Sequence, residues 1–138
     1  MAPVLEQLLK QYPKSVKVVF KNFPLSSHKF AKQAAAAALA ANRQDKFWEY
    51  HDELFKYYRN LNEKKFVEIA QKLGLDEEKF NRDRHDPAIL AKINQDTEEG
   101  EKIEVRGIPA IFMNGRRVNN RDIKDLQDMV EKQLEKKQ

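Results

Sequence analysis

The sequence predicts an α/β protein in which helices far outnumber strands. The segment Val16–Phe20 is rich in β-branched and aromatic residues, and a short apolar run, Ala110–Met113, follows a proline and precedes an Asn-Gly turn. Between these segments, capping residues repeatedly precede apolar residues at helical spacing. We therefore expect a small sheet whose strands are separated in sequence by a helical insertion at about residues 28–100.

Composition limits the class of protein. With 138 residues, 41% of them hydrophobic and 35% charged, the chain has the size of a single domain, 1–138, and the charged surface of a helix-rich protein. No apolar run approaches the roughly 18 residues that could span a bilayer, and Met1–Glu6 lacks the basic and apolar segments of a signal peptide. As written, the sequence predicts no membrane association and a cytoplasmic location.

Charge and residue usage exclude several activities. The 26 basic and 22 acidic residues are mostly interleaved along helices, which indicates solvated faces rather than a nucleic-acid-binding surface. The chain contains no cysteine, so it offers no disulfide, no thiolate metal site and no thiol nucleophile. The histidines His28, His51 and His85 lack the spacing that would place two imidazoles on one helix face, so we predict no metal site and no cofactor.

The first predicted elements are a helix and a strand. Apolar residues at helical spacing predict a helix over Ala2–Gln11, which ends before Pro13 because proline disfavours helix at the residue preceding it. The strand Val16–Phe20 follows. Its last three residues are all apolar, so we expect burial on both faces, as in a parallel sheet covered by helices.

The insertion begins with two predicted helices. Ser26 or Ser27 could cap a helix from about residue 28 to residue 41, which contains a run of alanines with the highest helix propensity. Asp45 is the predicted cap of the next helix, which extends to Tyr58. Its aromatic residues lie on one stripe, which is more typical of a core than of a ligand site.

Three shorter patterns complete the insertion. Asn62 is the predicted cap of a helix over Glu63–Leu73, which Gly74 ends. Asp76 is the predicted cap of a short helix, and a further helix is predicted from about Asp86 to residue 99, with a proline in its first turn.

The C-terminal segment is built around a Gly-x-Pro loop. Pro109 begins the apolar strand, a position that suits a residue without an N–H, and Gly107 supplies the backbone freedom that a sharp approach would need. The dipeptide at residues 114–115 predicts a hairpin turn, with a short returning strand around Arg117-Val118. Asn119 or Asn120 is the predicted cap of a closing helix, after which residues 135–138 should fray.

This order of elements, together with several short sequence motifs, resembles that of the DsbA-like thioredoxin-fold disulfide oxidoreductases along nearly the whole chain. The matching segments are Val19–Leu25, His28–Ala31 with the alanine-rich helix, Lys46–Asp52, Leu73–Asp76 and Val105–Ala110 with Asn114-Gly115.

The resemblance implies a function that the chain as written cannot complete. In that family the first strand leads into a C-x-x-C pair at the start of a helix, whose thiolate exchanges disulfides with substrate proteins. The helix Ala2–Gln11 resembles the remainder of that catalytic helix, so the C-x-x-C and its preceding strand would lie upstream of Met1. The resemblance also implies that Gly107, Ile108 and Pro109, with Pro109 in cis, retain part of a surface that binds protein or peptide substrates.

Two interpretations follow. The sequence is either a fragment of a longer oxidoreductase, whose upstream segment could include an extracytoplasmic signal, or a naturally short, degenerate member that has lost catalysis. The alternative function is a non-catalytic protein-binding or chaperone-like module that uses the same surface.

The missing first strand predicts a further property. In the family's sheet this strand is central, and about four buried apolar side chains at roughly 1.5–3 kcal/mol each would contribute about 6–12 kcal/mol. That is comparable to the whole stability of a typical domain, about 5–15 kcal/mol. We therefore expect the two remaining sheet segments to pair directly or to be completed by a second chain in a homodimer, through strand exchange or open sheet edges.

Overall fold

A computed structural model describes residues 2–136 and confirms that the protein is predominantly helical. Seven α-helices, a short 3₁₀ turn and one two-stranded sheet make up this part of the chain. Their bounds are α1 Ala2–Gln11, α2 Ala31–Asn42, α3 Phe47–Lys56, the 3₁₀ turn Tyr58–Asn60, α4 Glu63–Lys72, α5 Glu77–Asp83, α6 Pro87–Lys102, β1 Phe112–Met113, β2 Arg116–Arg117 and α7 Ile123–Glu135.

The chain divides into two compact units. One, here the terminal unit, comprises Met1–Phe20 and Val105–Gln138, and the other, the helical unit, comprises Lys21–Glu104. The assignment of the whole chain to a single domain stays a prediction.

Helix α2 lies at the centre of the helical unit and contacts α3, α4, α5 and α6. Alanine side chains are small enough to let neighbouring helices approach closely. Five of the α2 alanines are buried: Ala36, Ala37, Ala38, Ala40 and Ala41. Around them lie larger core side chains, among which Tyr50, Phe66 and Phe80 are fully buried. The buried Tyr50 hydroxyl donates to the backbone carbonyl of Phe66 at 2.9 Å, so burying this polar group leaves no donor unsatisfied.

The terminal unit has a much smaller core. Helix α1 packs against α7, and the buried side chains of this cluster are Leu8, Val118, Leu126 and Val130. Strands β1 and β2 form an antiparallel hairpin, and the N–H of Val118 donates to the carbonyl of Ile111 at 2.8 Å beyond the end of the ladder.

The predicted strand over Val16–Phe20 is wrong. These residues form no sheet ladder within residues 2–136, and the predicted burial on both faces fails because Val19 is 62% exposed and Phe20 is 41% exposed. A β-branched run becomes a strand only when a neighbouring strand accepts its backbone hydrogen bonds. Strand β1 is shorter than predicted, since it starts at Phe112 and not at Ala110. Strand β2 has the predicted length of two residues but begins at Arg116, one residue early.

Several predicted helix starts are confirmed. The side chains of Asn62 and Asp76 accept backbone N–H groups three residues ahead, at 2.7 and 3.1 Å, and Asp86 caps α6 with Pro87 in its first turn. Each of these caps satisfies an N–H that the helix itself leaves without a partner.

Three other predicted caps are wrong. Helix α2 begins at Ala31 after Phe30, beyond either predicted serine, and α3 begins after Lys46 because Asp45 adopts a left-handed backbone with φ of 61°. Neither of these starts has a side-chain cap. Helix α7 is capped by Asp122 instead of the predicted asparagines, and the carboxylate accepts the N–H of Asp125 at 2.9 Å. Part of the predicted fraying at residues 135–138 lies outside the described residues.

Candidate functional site

The sequence-predicted site residues Gly107, Ile108 and Pro109 form one exposed loop in the terminal unit. The loop leaves the buried Val105 and enters the hairpin through Ala110 and Ile111, and the Ile108–Pro109 peptide bond is cis. The apolar side chain of Ile108 is 55% exposed. The structure therefore places all three predicted residues together at the surface.

The backbone of this loop has unused hydrogen-bonding capacity. Among residues 2–136, no group accepts a hydrogen bond from the N–H of Arg106, Gly107 or Ile108. The carbonyl of Pro109, by contrast, does have a partner, because Arg121 Nη1 donates a hydrogen bond to it at 2.9 Å. Exposed backbone groups of this kind can pair with an extended polypeptide, as in strand addition.

Gly107 has a different role from the one its sequence position suggests. Its φ lies outside the left-handed region, and a Cβ built at this position would meet no heavy atom within 4 Å. The loop geometry therefore does not require glycine. The space beside its backbone is open to a ligand.

A small cavity lies next to the loop. Its volume is about 190 Å³, and it is lined by Pro109, Ala110, Ile111, Arg117, Val118, Asn119 and Arg121. Sequence reasoning did not identify Arg117 and Arg121 as site residues. The available signal was the concentration of arginines around the Gly-x-Pro loop, at positions 106, 116, 117 and 121.

The chain has no residue that could perform thiol chemistry. The sequence contains no cysteine, so the chain as written is catalytically inactive in disulfide exchange. Residues 2–136 contain no group of three histidine or acidic side chains arranged to hold a metal ion, and no helix in this range is long and apolar enough to cross a membrane. His28 and His85 are exposed, whereas burial lowers the pKa of the half-buried His51 despite the opposing effect of Asp52.

Comparisons with known proteins find one family model and relatives of two kinds. The model of the DSBA-like thioredoxin domain matches residues 1–131. A probable disulfide bond formation protein D from Bacillus anthracis is 29% identical, and the alignment covers 96% of this chain and 65% of that protein. A Na(+)/H(+) antiporter NhaA 3 from Salinispora tropica is 36% identical over 83% of this chain but only 18% of its own length. The chain thus spans less than two thirds of each of these relatives.

A solved structure shows the same fold. A thioredoxin-like oxidoreductase from Silicibacter pomeroyi DSS-3 superposes with a TM-score of 0.81 and 27% sequence identity. The match covers 97% of this chain and 77% of that structure. The predicted similarity of fold is therefore confirmed over 97% of the chain.

Proposed function

We propose, because this chain belongs to the family of DSBA-like thioredoxin domains, that Gly107, Ile108 and Pro109 bind an extended segment of a protein substrate. The observation that carries this proposal is the exposed loop itself, where an apolar side chain lies beside backbone N–H groups that have no partner in the protein. An extended substrate segment would supply carbonyl acceptors for those groups and an apolar contact for Ile108.

The proposed role is binding, and disulfide exchange requires a thiolate that this chain does not contain. A substrate segment held along residues 106–109 would be positioned for exchange in an oxidoreductase that carries a C-x-x-C pair. Without that pair, the same surface would serve as a non-catalytic protein-binding or chaperone-like module. The absence of cysteine is the observation that favours this second candidate.

Peptide binding can be tested with two matched isoleucines. A fluorescent peptide derived from an unfolded, cysteine-free protein is titrated with the protein and with the variants Ile108→Ser and Ile103→Ser. Ile103, in the helical unit, is 54% exposed and so matches Ile108 in side chain and exposure. Loss of one buried apolar contact corresponds to roughly a tenfold weaker Kd or more.

We expect Ile108→Ser to weaken peptide binding about tenfold and Ile103→Ser to leave it unchanged. Equal affinities for all three proteins would contradict the proposal. To separate the two candidate functions, a strand ending in C-x-x-C is joined upstream of Met1. Reduction of a substrate disulfide by that fusion supports the oxidoreductase role, and peptide binding without such activity supports the binding module.

A further inference from the structure

We infer that Arg117 and Arg121 form a carboxylate-binding subsite beside the Ile108–Pro109 loop, and that the protein prefers substrate segments with an aspartate or glutamate at that point. This inference rests on the proposed function and adds the chemical class of the substrate. It is carried by the presence of both arginines in the lining of the cavity of about 190 Å³.

Arg121 is hydrogen-bonded to the loop through one N–H group, and its other N–H groups remain available. Its Nη1 donates to the Pro109 carbonyl at 2.9 Å, and a guanidinium has five N–H donors in a planar fork. Asp122, its neighbour in sequence, is occupied as the cap of α7 and accepts the N–H of Asp125. The remaining N–H groups of Arg121 are available to a carboxylate, which guanidinium binds through two parallel hydrogen bonds.

Arg117 reaches the same cavity from the hairpin. It lies directly opposite Phe112 in the β1–β2 register, and its Cζ is 5.9 Å from the centre of the Phe112 ring. A guanidinium at this distance from an aromatic ring is attracted to its face, which restricts the side chain without using its hydrogen-bond donors. Arg117 is therefore oriented and still able to bind an anion.

The arginines of this region have no acidic partner within the described chain. Within residues 2–136, none of the arginines at positions 106, 116, 117 and 121 forms an ion pair within 4.0 Å. In the helical unit, by contrast, three of the four arginines, Arg43, Arg82 and Arg84, are paired with carboxylates. No acidic side chain lines the cavity. Unpaired positive charge next to a peptide-binding loop favours an acidic occupant.

A peptide carboxylate fits better than a free anion because the cavity is continuous with the loop. Pro109 lines the cavity and also belongs to the proposed peptide-binding residues. A segment whose backbone lies along the loop would therefore bring its neighbouring side chain to the guanidinium groups. Tethering through the backbone raises the effective concentration of that carboxylate at the subsite.

The test uses a pair of fluorescent peptides that differ only in one glutamate, replaced by glutamine in the second. The measured quantity is the ratio of the two Kd values, which removes effects common to both peptides. We expect the wild-type protein to prefer the glutamate peptide about tenfold at low salt, with the preference declining as salt is added. Arg117→Gln and Arg121→Gln should each bring the ratio toward one.

Arg59→Gln is the matched control, because Arg59 is an exposed arginine of the helical unit that also lies against an aromatic ring, with its Cζ 5.4 Å from the centre of Tyr58. This variant should keep the wild-type ratio. Arg117→Gln leaves the bond from Arg121 to Pro109 intact, so it tests the subsite even if the loop moves in Arg121→Gln.

The outcomes separate the subsite from the proposed function. If the wild-type ratio is one while Ile108→Ser still weakens both peptides, the subsite is wrong and the peptide-binding function stands. If neither peptide binds, both fail. A third outcome is that the two peptides have equal Kd values and that inorganic phosphate weakens the binding of both equally. That result would show a general anion site and overturn the preference for peptide carboxylates.

Discussion

In the helical unit many charged side chains form ion pairs, whereas in the described part of the terminal unit none does. Every ion pair within 4.0 Å among residues 2–136 joins two residues of the helical unit. The sequence has 15 basic and 16 acidic residues in the helical unit, a net charge of −1, against 11 and 6 in the terminal unit, a net charge of +5. The whole positive excess of the protein, +4, thus comes from the terminal unit.

The buried carboxylates show what pairing does in the helical unit. Glu53, Asp83 and Asp96 are nearly inaccessible to solvent, and each contacts at least two basic side chains. A buried charge without such partners would be strongly unfavourable, so these contacts restrict how the helices can be arranged. In the described part of the terminal unit no carboxylate forms an ion pair with the arginines near the loop, which leaves them available for an external ligand.

Asp96 has the most extensive set of partners. It accepts the backbone N–H of Asn22 at 3.0 Å and the Asn22 side-chain amide at 2.9 Å, and Lys92 Nζ lies 2.8 Å from its other oxygen. Burial alone would raise the pKa of this carboxyl group. The hydrogen bonds from Asn22 and the ion pair with Lys92 outweigh burial and hold the pKa below its ordinary value.

The largest expected effect comes from breaking this pairing with Asp96→Asn. We expect a loss of about 2–4 kcal/mol in the free energy of unfolding near neutral pH. The carboxylate charge is lost, and the new amide NH2 would face another donor, from Asn22 or Lys92. Urea denaturation measures the change. Glu98→Gln, an exposed residue of the same helix without an ion pair in residues 2–136, should change stability by less than about 0.5 kcal/mol.

The same variant should alter the pH dependence. The folded pKa of Asp96 lies below its unfolded value, so its stabilising contribution is complete above the unfolded pKa and is lost as the pH falls through the folded pKa. The stability difference between wild type and Asp96→Asn should therefore shrink between about pH 5 and pH 2. A difference that stays constant over that range would show that the carboxylate charge is not the cause.

A smaller effect concerns self-association through the terminal unit. We propose that the segment around Val19 pairs with a second copy of the chain. The apolar side chain of Val19 is 62% exposed, and the segment forms no ladder within residues 2–136. Val19→Lys should weaken the homodimer about tenfold or more, because charged residues disfavour strand pairing at sheet edges. Sedimentation equilibrium measures this change. A wild-type protein that stays monomeric at micromolar concentration would refute the homodimer.

The smallest effect compares two glycines of the terminal unit. Gly115 has φ of +81° in the hairpin turn, so Gly115→Ala should cost about 1–2 kcal/mol of stability. Gly107→Ala should cost nothing, because the added methyl group meets no atom and the backbone is not left-handed. Thermal unfolding of the two variants gives the comparison, and equal losses would contradict this description of the loop.

The sequence predicted features that depend on nearby residues. Asn62 and Asp76 were identifiable as caps because a cap bonds to N–H groups within one turn, and the loop around Pro109 was identifiable by its similarity to a family. Whether Val16–Phe20 forms a strand could not be predicted from neighbouring residues, because a strand requires a pairing partner that is distant in sequence. Arg117 and Arg121 were missed for a related reason, since their significance lies in the absence of acidic neighbours in three dimensions.

The alanines of α2 have a consequence for the gene that encodes them. A single base change in an alanine codon can give only glycine, serine, threonine, proline, valine, aspartate or glutamate. At Ala37, Ala40 and Ala41, which have no exposed surface, the larger of these residues would overpack the helix contacts or bury a charge, and proline would break the helix. Glycine would cost about 1 kcal/mol in helix propensity, which leaves serine as the mildest replacement. We therefore expect natural variation in this helix to be narrower than its simple composition suggests.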